Sequence, residues 1–199
     1  MCISLSDLTF YKLNDSASGA YRVKYPPARL EMLGKQIANG NPKLNPSDRI
    51  SLIADSAAFA ISGLSPTTEF LSFIESFKHE SNFFVWDELL HCLSQLRSAW
   101  SKQPERVTAA LREFSKSVLR AKVEEIGWDK APDEDYLTSR LRPRLITEAG
   151  FAQIEGYSYL RNMLRIESKK EHEWDFRLGV VALKQSCRRL YAELSLESF

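Results

Sequence analysis

Residues 45–63 read Asn-Pro-Ser-Asp-Arg-Ile-Ser-Leu-Ile-Ala-Asp-Ser-Ala-Ala-Phe-Ala-Ile-Ser-Gly. This stretch decides the fold class, because the start and stop signals of one helix stand in order within it. Asn45 is a preferred N-cap, Pro46 suits the first helical position, and Asp48 places negative charge at the positive end of the helix dipole. Ile50, Ile53, Ala57 and Ala60 then recur at helical spacing, and Gly63 is positioned to end the helix in a left-handed cap.

The same grammar repeats outward from this helix. Pro26-Pro27 opens a short helix carrying Leu30, Leu33 and Ile37, stopped by Asn39-Gly40. Ser65-Pro66 opens another, with Phe70, Leu71, Ile74 and Phe77. Asn82 caps a longer one through Trp86, Leu89, Leu90, Leu93, Leu96 and Trp100, and these two are expected to pack as an antiparallel pair. Pro104 begins a run ending at Gly127, residues 129–133 read as a loop, and a further helix starts near Glu134. Pro143 is expected to kink that helix or end it at Arg142, since it removes a backbone donor and clashes with the preceding turn. Helical spacing continues over 151–166 and 174–194.

The one strand signal precedes residue 26, where Tyr21, Val23 and Tyr25 alternate with Arg22 and Lys24 after the turn-forming residues 15–19. Residues 9–13 are its expected hairpin partner. The fold expectation is therefore mainly α: an α-solenoid of stacked antiparallel helix pairs, HEAT/armadillo-like, preceded by a short β-hairpin remnant. Residues 1–25 form the strand remnant and connector, and 26–199 the helical domain.

Composition fits a folded chain. Of 199 residues, 44% are hydrophobic and 27% charged, with a mean hydropathy of -0.31, far from the profile of a disordered segment. With 27 Lys plus Arg against 26 Asp plus Glu, the net charge of +1 provides no long-range field to attract nucleic acid or an anionic membrane. Cys2, Cys92 and Cys187 are odd in number and widely spaced, which suits neither a disulfide framework nor a thiolate zinc site. Residues 1–7 have no basic region followed by an apolar run, and no stretch reaches the roughly 18 apolar residues of a membrane span. The expected setting is cytoplasmic.

A search for chemistry finds fragments of motifs. Zinc peptidases need two His at i and i+4 with a Glu between them, so that both imidazoles reach one metal from one helix face. His79-Glu80 and His172-Glu173 lack the second His and read as surface pairs. Glu88 and His91 have the i, i+3 spacing of di-iron bundles without the other ligands, and read as a helix-surface link. Gly156-Tyr157-Ser158 does not complete a nucleophile elbow, and the glycine-rich loops that cradle phosphate do not occur. Arg140, Arg142 and Arg144 are divided among helix faces by their spacing, which argues against a nucleic-acid surface. Phe70, Phe73, Phe77, Phe83, Phe84 and Trp86 read as core. No catalytic, cofactor-binding or metal-binding residue emerges.

Ordered motifs nevertheless resemble a known family. Lys12-Leu13-Asn14 through Gly19-Ala20-Tyr21-Arg22-Val23-Lys24-Tyr25 is similar to the segment that joins a small β-sandwich to the C-terminal helices in gluzincin zinc aminopeptidases. Asp48-Arg49-Ile50-Ser51-Leu52-Ile53-Ala54-Asp55 resembles that family's D-R-x-x-L-I-x-D helix, and residues 60–64 resemble its A-x-x-G-L ending. Phe77 to Glu80 with Val85-Trp86, then Ile126-Gly127-Trp128-Asp129 with Asp133-Glu134 and Leu141-Arg142, continue the match over about residues 12–150.

The resemblance implies a non-catalytic C-terminal helical domain that covers the zinc cleft of the complete enzyme and limits which peptides enter. Its partner would be a peptide substrate or a separate catalytic domain. The zinc ligands, catalytic Glu and exopeptidase loop belong to regions outside this sequence, so no cofactor is expected in the chain itself. The competing expectation is a free-standing scaffold that binds a peptide or protein. Asp48 and Arg49 are expected to be structural. The strand remnant is expected either to fold back on the helices or to drive self-association.

Overall fold

The computed structural model describes residues 11–128 and 133–154, and these are mainly helical. By internal packing the chain divides into two compact units, Met1–Ala99 and Trp100–Phe199. The first contains helices α1 (Pro27–Ala38), α2 (Pro46–Ile61), α3 (Thr67–Ile74) and α4 (Phe83–Ala99). The second contains α5 (Glu105–Ile126) and α6 (Tyr136–Phe151).

The deciding helix forms as its sequence dictates. Asn45 Oδ1 accepts from the Asp48 amide at 2.9 Å, satisfying one of the orphan donors at the start of α2. At the other end Gly63 adopts φ 74°, its amide bonds to Ala60 O, and the Leu64 amide bonds to Phe59 O at 2.9 Å. This paired closure requires a left-handed residue after the cap, a conformation glycine adopts without steric cost. Between the ends, Leu52, Ile53, Ala57 and Ala60 form the buried face.

Helix α2 is the centre of the first unit, packing against α4 and α3. Leu52, Ile53 and Ala57 on α2 and Val85, Trp86, Leu89, Leu93 and Leu96 on α4 are all buried, at 3% exposure or less. The expected α3–α4 pair is thus not the principal one. Helix α3 has only eight residues before a 3-10 turn at Glu75–Phe77, too short to back the 17 residues of α4. Helix α1 instead packs on α3 and that turn. The approach is close at Gly34, where an added Cβ would lie 2.5 Å from Ser76 Oγ.

In the second unit, α5 packs on α6. Asp135 caps α6 by accepting from the amides of Leu137 (2.9 Å) and Thr138 (3.0 Å). Hydrogen bonding to the Thr138 side chain and amide holds the Asp135 carboxyl below its ordinary pKa. Pro143 neither ends α6 nor moves its boundary to Arg142, because the helix continues to Phe151. Leu141, Leu145, Ile146 and Ala149 are buried around it, and tertiary packing of this kind overrides a local helix breaker.

The strand expectation is also corrected. Among the described residues there is no strand, and residues 11–26 run as bends and coil around a 3-10 turn at Asp15–Ala17. Side chains of α2 supply the hydrogen bonds that a sheet partner would have given, as detailed below. The expected helical spacing at 155–166 and 174–194, the Cys2 and Cys187 thiols, His172-Glu173 and Gly156 to Ser158 all lie outside the described residues.

Candidate functional site

A dense polar construction in the first unit lies along α2 from Asp48 to Asp55. Asp48 and Asp55 are seven residues apart, close to two helical turns, so both carboxylates face one side. Asp48 is 1% exposed; its Oδ1 takes the Lys12 ammonium at 2.6 Å and the Ser16 amide at 2.7 Å. Asp55 Oδ2 accepts from the Val23 amide at 2.8 Å, and its Oδ1 pairs with Arg22 at 3.2 Å. Lys24 reaches the Leu64 carbonyl beyond the end of the helix. The Tyr25 hydroxyl accepts from the Leu13 amide at 2.8 Å, tying the two ends of the segment together.

Arg49 faces the other way. Its Nε lies 2.8 Å from Glu80 Oε2, and its Nη1 donates to Leu44 O at 2.6 Å. Glu80 Oε1 accepts from the amides of Ser81 and Asn82, and the Trp86 indole donates to Glu80 O at 2.7 Å. One carboxylate therefore joins α2 to the turn preceding α4. The reading of His79-Glu80 as a surface pair is corrected here. His79 is exposed, but the Glu80 side chain is only 6% exposed because Arg49 covers it. No signal within residues 79–83 specifies a partner 31 positions away.

The other candidates also resolve into structural roles. The described contact of Glu88 is with the Cys92 thiol at 3.3 Å rather than His91, whose ring meets Gln95 at 3.0 Å. Burial pushes the Cys92 thiol far above its ordinary pKa, and the Glu88 carboxylate adds to the effect. A thiol so protonated is a packing element, not a nucleophile. In the second unit the arginine cluster separates. Arg142 is buried and binds Glu134 at 2.5 Å, together with the carbonyls of Ile126 and Gly127. Arg140 is exposed and donates to the Tyr136 hydroxyl at 2.9 Å.

The aromatic series follows the core reading at Phe70, Phe73, Phe77 and Trp86, while Phe84 is 56% exposed. Between α1 and α3 an open groove of about 720 Å³ is floored by Leu30 and Phe73 and edged by Glu31, Lys35 and Glu69. Among the described residues no helix is long and apolar enough to cross a membrane.

A family model described as the ERAP1-like C-terminal domain matches residues 10–173. The chain belongs to that family. The ERAP1-like match runs past the limit near residue 150 that the motifs alone reached, into a segment outside the described residues.

Relatives of this ERAP1-like chain include Aminopeptidase 2 of Candida albicans, 34% identical over 144 residues, which is 72% of this chain and 15% of the relative. The alanine/arginine aminopeptidase of Saccharomyces cerevisiae is 35% identical over 145 residues, 73% of this chain and 16% of the relative. Tricorn protease-interacting factor F2 of Thermoplasma acidophilum is 33% identical over 131 residues, 66% of this chain and 16% of that protein. The chain thus spans about one sixth of the length of these relatives.

Zinc is the metal implied by the family resemblance, and the described ERAP1-like residues do not fit it. No group of three or more His, Cys, Asp or Glu among them converges on a metal position. Asp48, Asp55, Glu80 and Glu134 are paired with Lys12, Arg22, Arg49 and Arg142 respectively. A zinc site needs three or four ligands on one ion.

Proposed function

We propose that this chain is the non-catalytic C-terminal helical part of a zinc aminopeptidase, and that it shapes and covers the cleft where the complete enzyme holds its peptide. The observation that carries this reading is the ERAP1-like match over residues 10–173, beside the likeness to aminopeptidases of which the chain spans about 15%. The chain's contribution is rigid shape. The ion pair buried at Glu80 joins α2 to the turn before α4 and holds these helices in fixed register, and such positioned elements, not reactive groups, are what a cleft wall requires. The finer architecture belongs to the same proposal: paired helices of the HEAT/armadillo kind presenting a surface to peptide. Its proposed partner is a peptide substrate or a separate catalytic domain, in the cytoplasm, with no part for nucleic acid or membrane, beside self-association through the N-terminal segment.

The isolated chain should hydrolyse no aminoacyl-fluorogenic substrate and should retain no stoichiometric zinc after dialysis, because H-E-x-x-H is absent from its sequence. Elemental analysis beside a chelator-controlled assay decides the matter. About one zinc per chain with chelator-sensitive turnover would overturn the proposal.

A further inference from the structure

We propose that residues 11–25 are a releasable strap, a segment latched on Asp48 and Asp55 that opens as a unit from the helices while they stay folded. Three features of the segment point to this. First, most of its attachment is polar. As whole residues only Tyr25 is buried, although the Lys12 side chain is enclosed at Asp48, and Lys12, Ser16, Arg22, Val23 and Lys24 hold the helical body through hydrogen bonds and ion pairs. Segments with few buried apolar contacts open at far lower free energy than a packed core.

Second, the segment is wound against its own preference. Asn14, Ser16 and Ala17 have φ of 56°, 53° and 55°, a left-handed conformation that Cβ sterics disfavour and that Ser and Ala seldom adopt. Such a turn persists only where its surroundings over-determine it. Here the Ser16 amide is held by Asp48, the Ser16 hydroxyl accepts from Asn45 Nδ2 at 2.9 Å, and Asn14 Oδ1 accepts from the Gly19 amide at 2.6 Å. Loss of the Asp48 contact leaves the turn free to relax to ordinary φ, which favours the open form.

Third, the strap covers something. Val23 and Tyr25 close a hollow of about 20 Å³ against Leu30, Leu52, Phe59 and Phe70. Opening the strap uncovers this apolar trough on α1, α2 and α3. It also returns Asp48 and Asp55 to water, so neither carboxylate is stranded in the open state.

The test is hydrogen exchange on the full chain, read at the Ser16 and Val23 amides and, as reporters of the body, at Leu89, Leu90 and Leu93. In the unaltered chain the strap amides should exchange by an opening that urea accelerates much less than it does exchange of the α4 amides, and well before them, since the opening exposes far less surface than unfolding of the helices. D48N should raise Ser16 exchange about tenfold or more, the loss of a charge-assisted contact, and leave α4 protection within about twofold. Exchange of strap and α4 amides at one common rate in the unaltered chain would overturn the proposal, as would equal loss of protection at both in D48N. The first comparison needs no variant, so misfolding of D48N would not shelter the idea.

Discussion

Trp86→Ala is expected to lower the stability of the chain by about 3–5 kcal/mol, the range for removing a fully buried aromatic side chain. Trp86 is 0% exposed at the contact of α4 with α2, the main packing of the first unit. The loss has two parts. The indole volume leaves a cavity that Leu52, Ile53 and the α4 leucines cannot fill without shifting the helices. The Glu80 carbonyl also loses the indole donor at 2.7 Å, at the residue whose carboxylate carries Arg49. Trp86→Phe should fall between the native chain and the alanine variant, since it retains most of the volume but not the donor. Phe84→Ala, at an exposed neighbour, should change stability by under about 0.5 kcal/mol. Urea unfolding followed by circular dichroism at 222 nm measures all three, and an equal effect at Trp86 and Phe84 would refute the packing described.

The second large effect belongs to the other unit. Arg142→Ala should cost about 3–5 kcal/mol, because it removes one partner of a buried ion pair and leaves the other buried and uncompensated. The Arg142 and Glu134 side chains are 6% and 4% exposed, and the same guanidinium takes the last carbonyls of α5 at Ile126 and Gly127. A single side chain thus closes the end of α5 onto α6. Arg140→Ala, two residues earlier and exposed, should shift stability by no more than about 0.5 kcal/mol. If the two variants unfold at the same urea concentration, the buried pair is not what holds α5 to α6.

These two sites mark what sequence reading reached and what it did not. Helix ends were legible because their chemistry is local: Asn45, Gly63, Asn82 and Gly127 each act within four residues of the end they define. The family likeness was legible too, since its motifs keep order along the chain. Partners distant in sequence were not. Nothing near Glu80 names Arg49, and nothing near Pro143 shows that Arg142 is gripped from the end of α5 strongly enough to carry the helix through a proline.

The N-terminal segment misled for a related reason. Alternating Tyr21, Val23 and Tyr25 imitate a strand, yet the acceptor for the Val23 amide is a side chain of α2 rather than a neighbouring backbone. The clue lay 32 residues later, in two aspartates seven apart on one helix face. Their spacing belongs to a family motif, and only the folded chain shows their common task, holding the segment down.

The proposed action on peptides, through the shape this chain gives a cleft, can be tested by exchange into a working relative. This chain's sequence would replace the matching 145-residue segment of the Saccharomyces cerevisiae alanine/arginine aminopeptidase. Cleavage rates would then be measured for a single-residue fluorogenic substrate and for a series of peptides of increasing length. The chimera should keep its rate on the small substrate within about threefold, because no reacting group has been exchanged, while the ratio of long- to short-peptide cleavage changes by about tenfold, a shift of about 1.4 kcal/mol in relative transition-state stabilisation. A folded chimera with an unchanged length profile, or one whose small-substrate rate alone collapses, would contradict it.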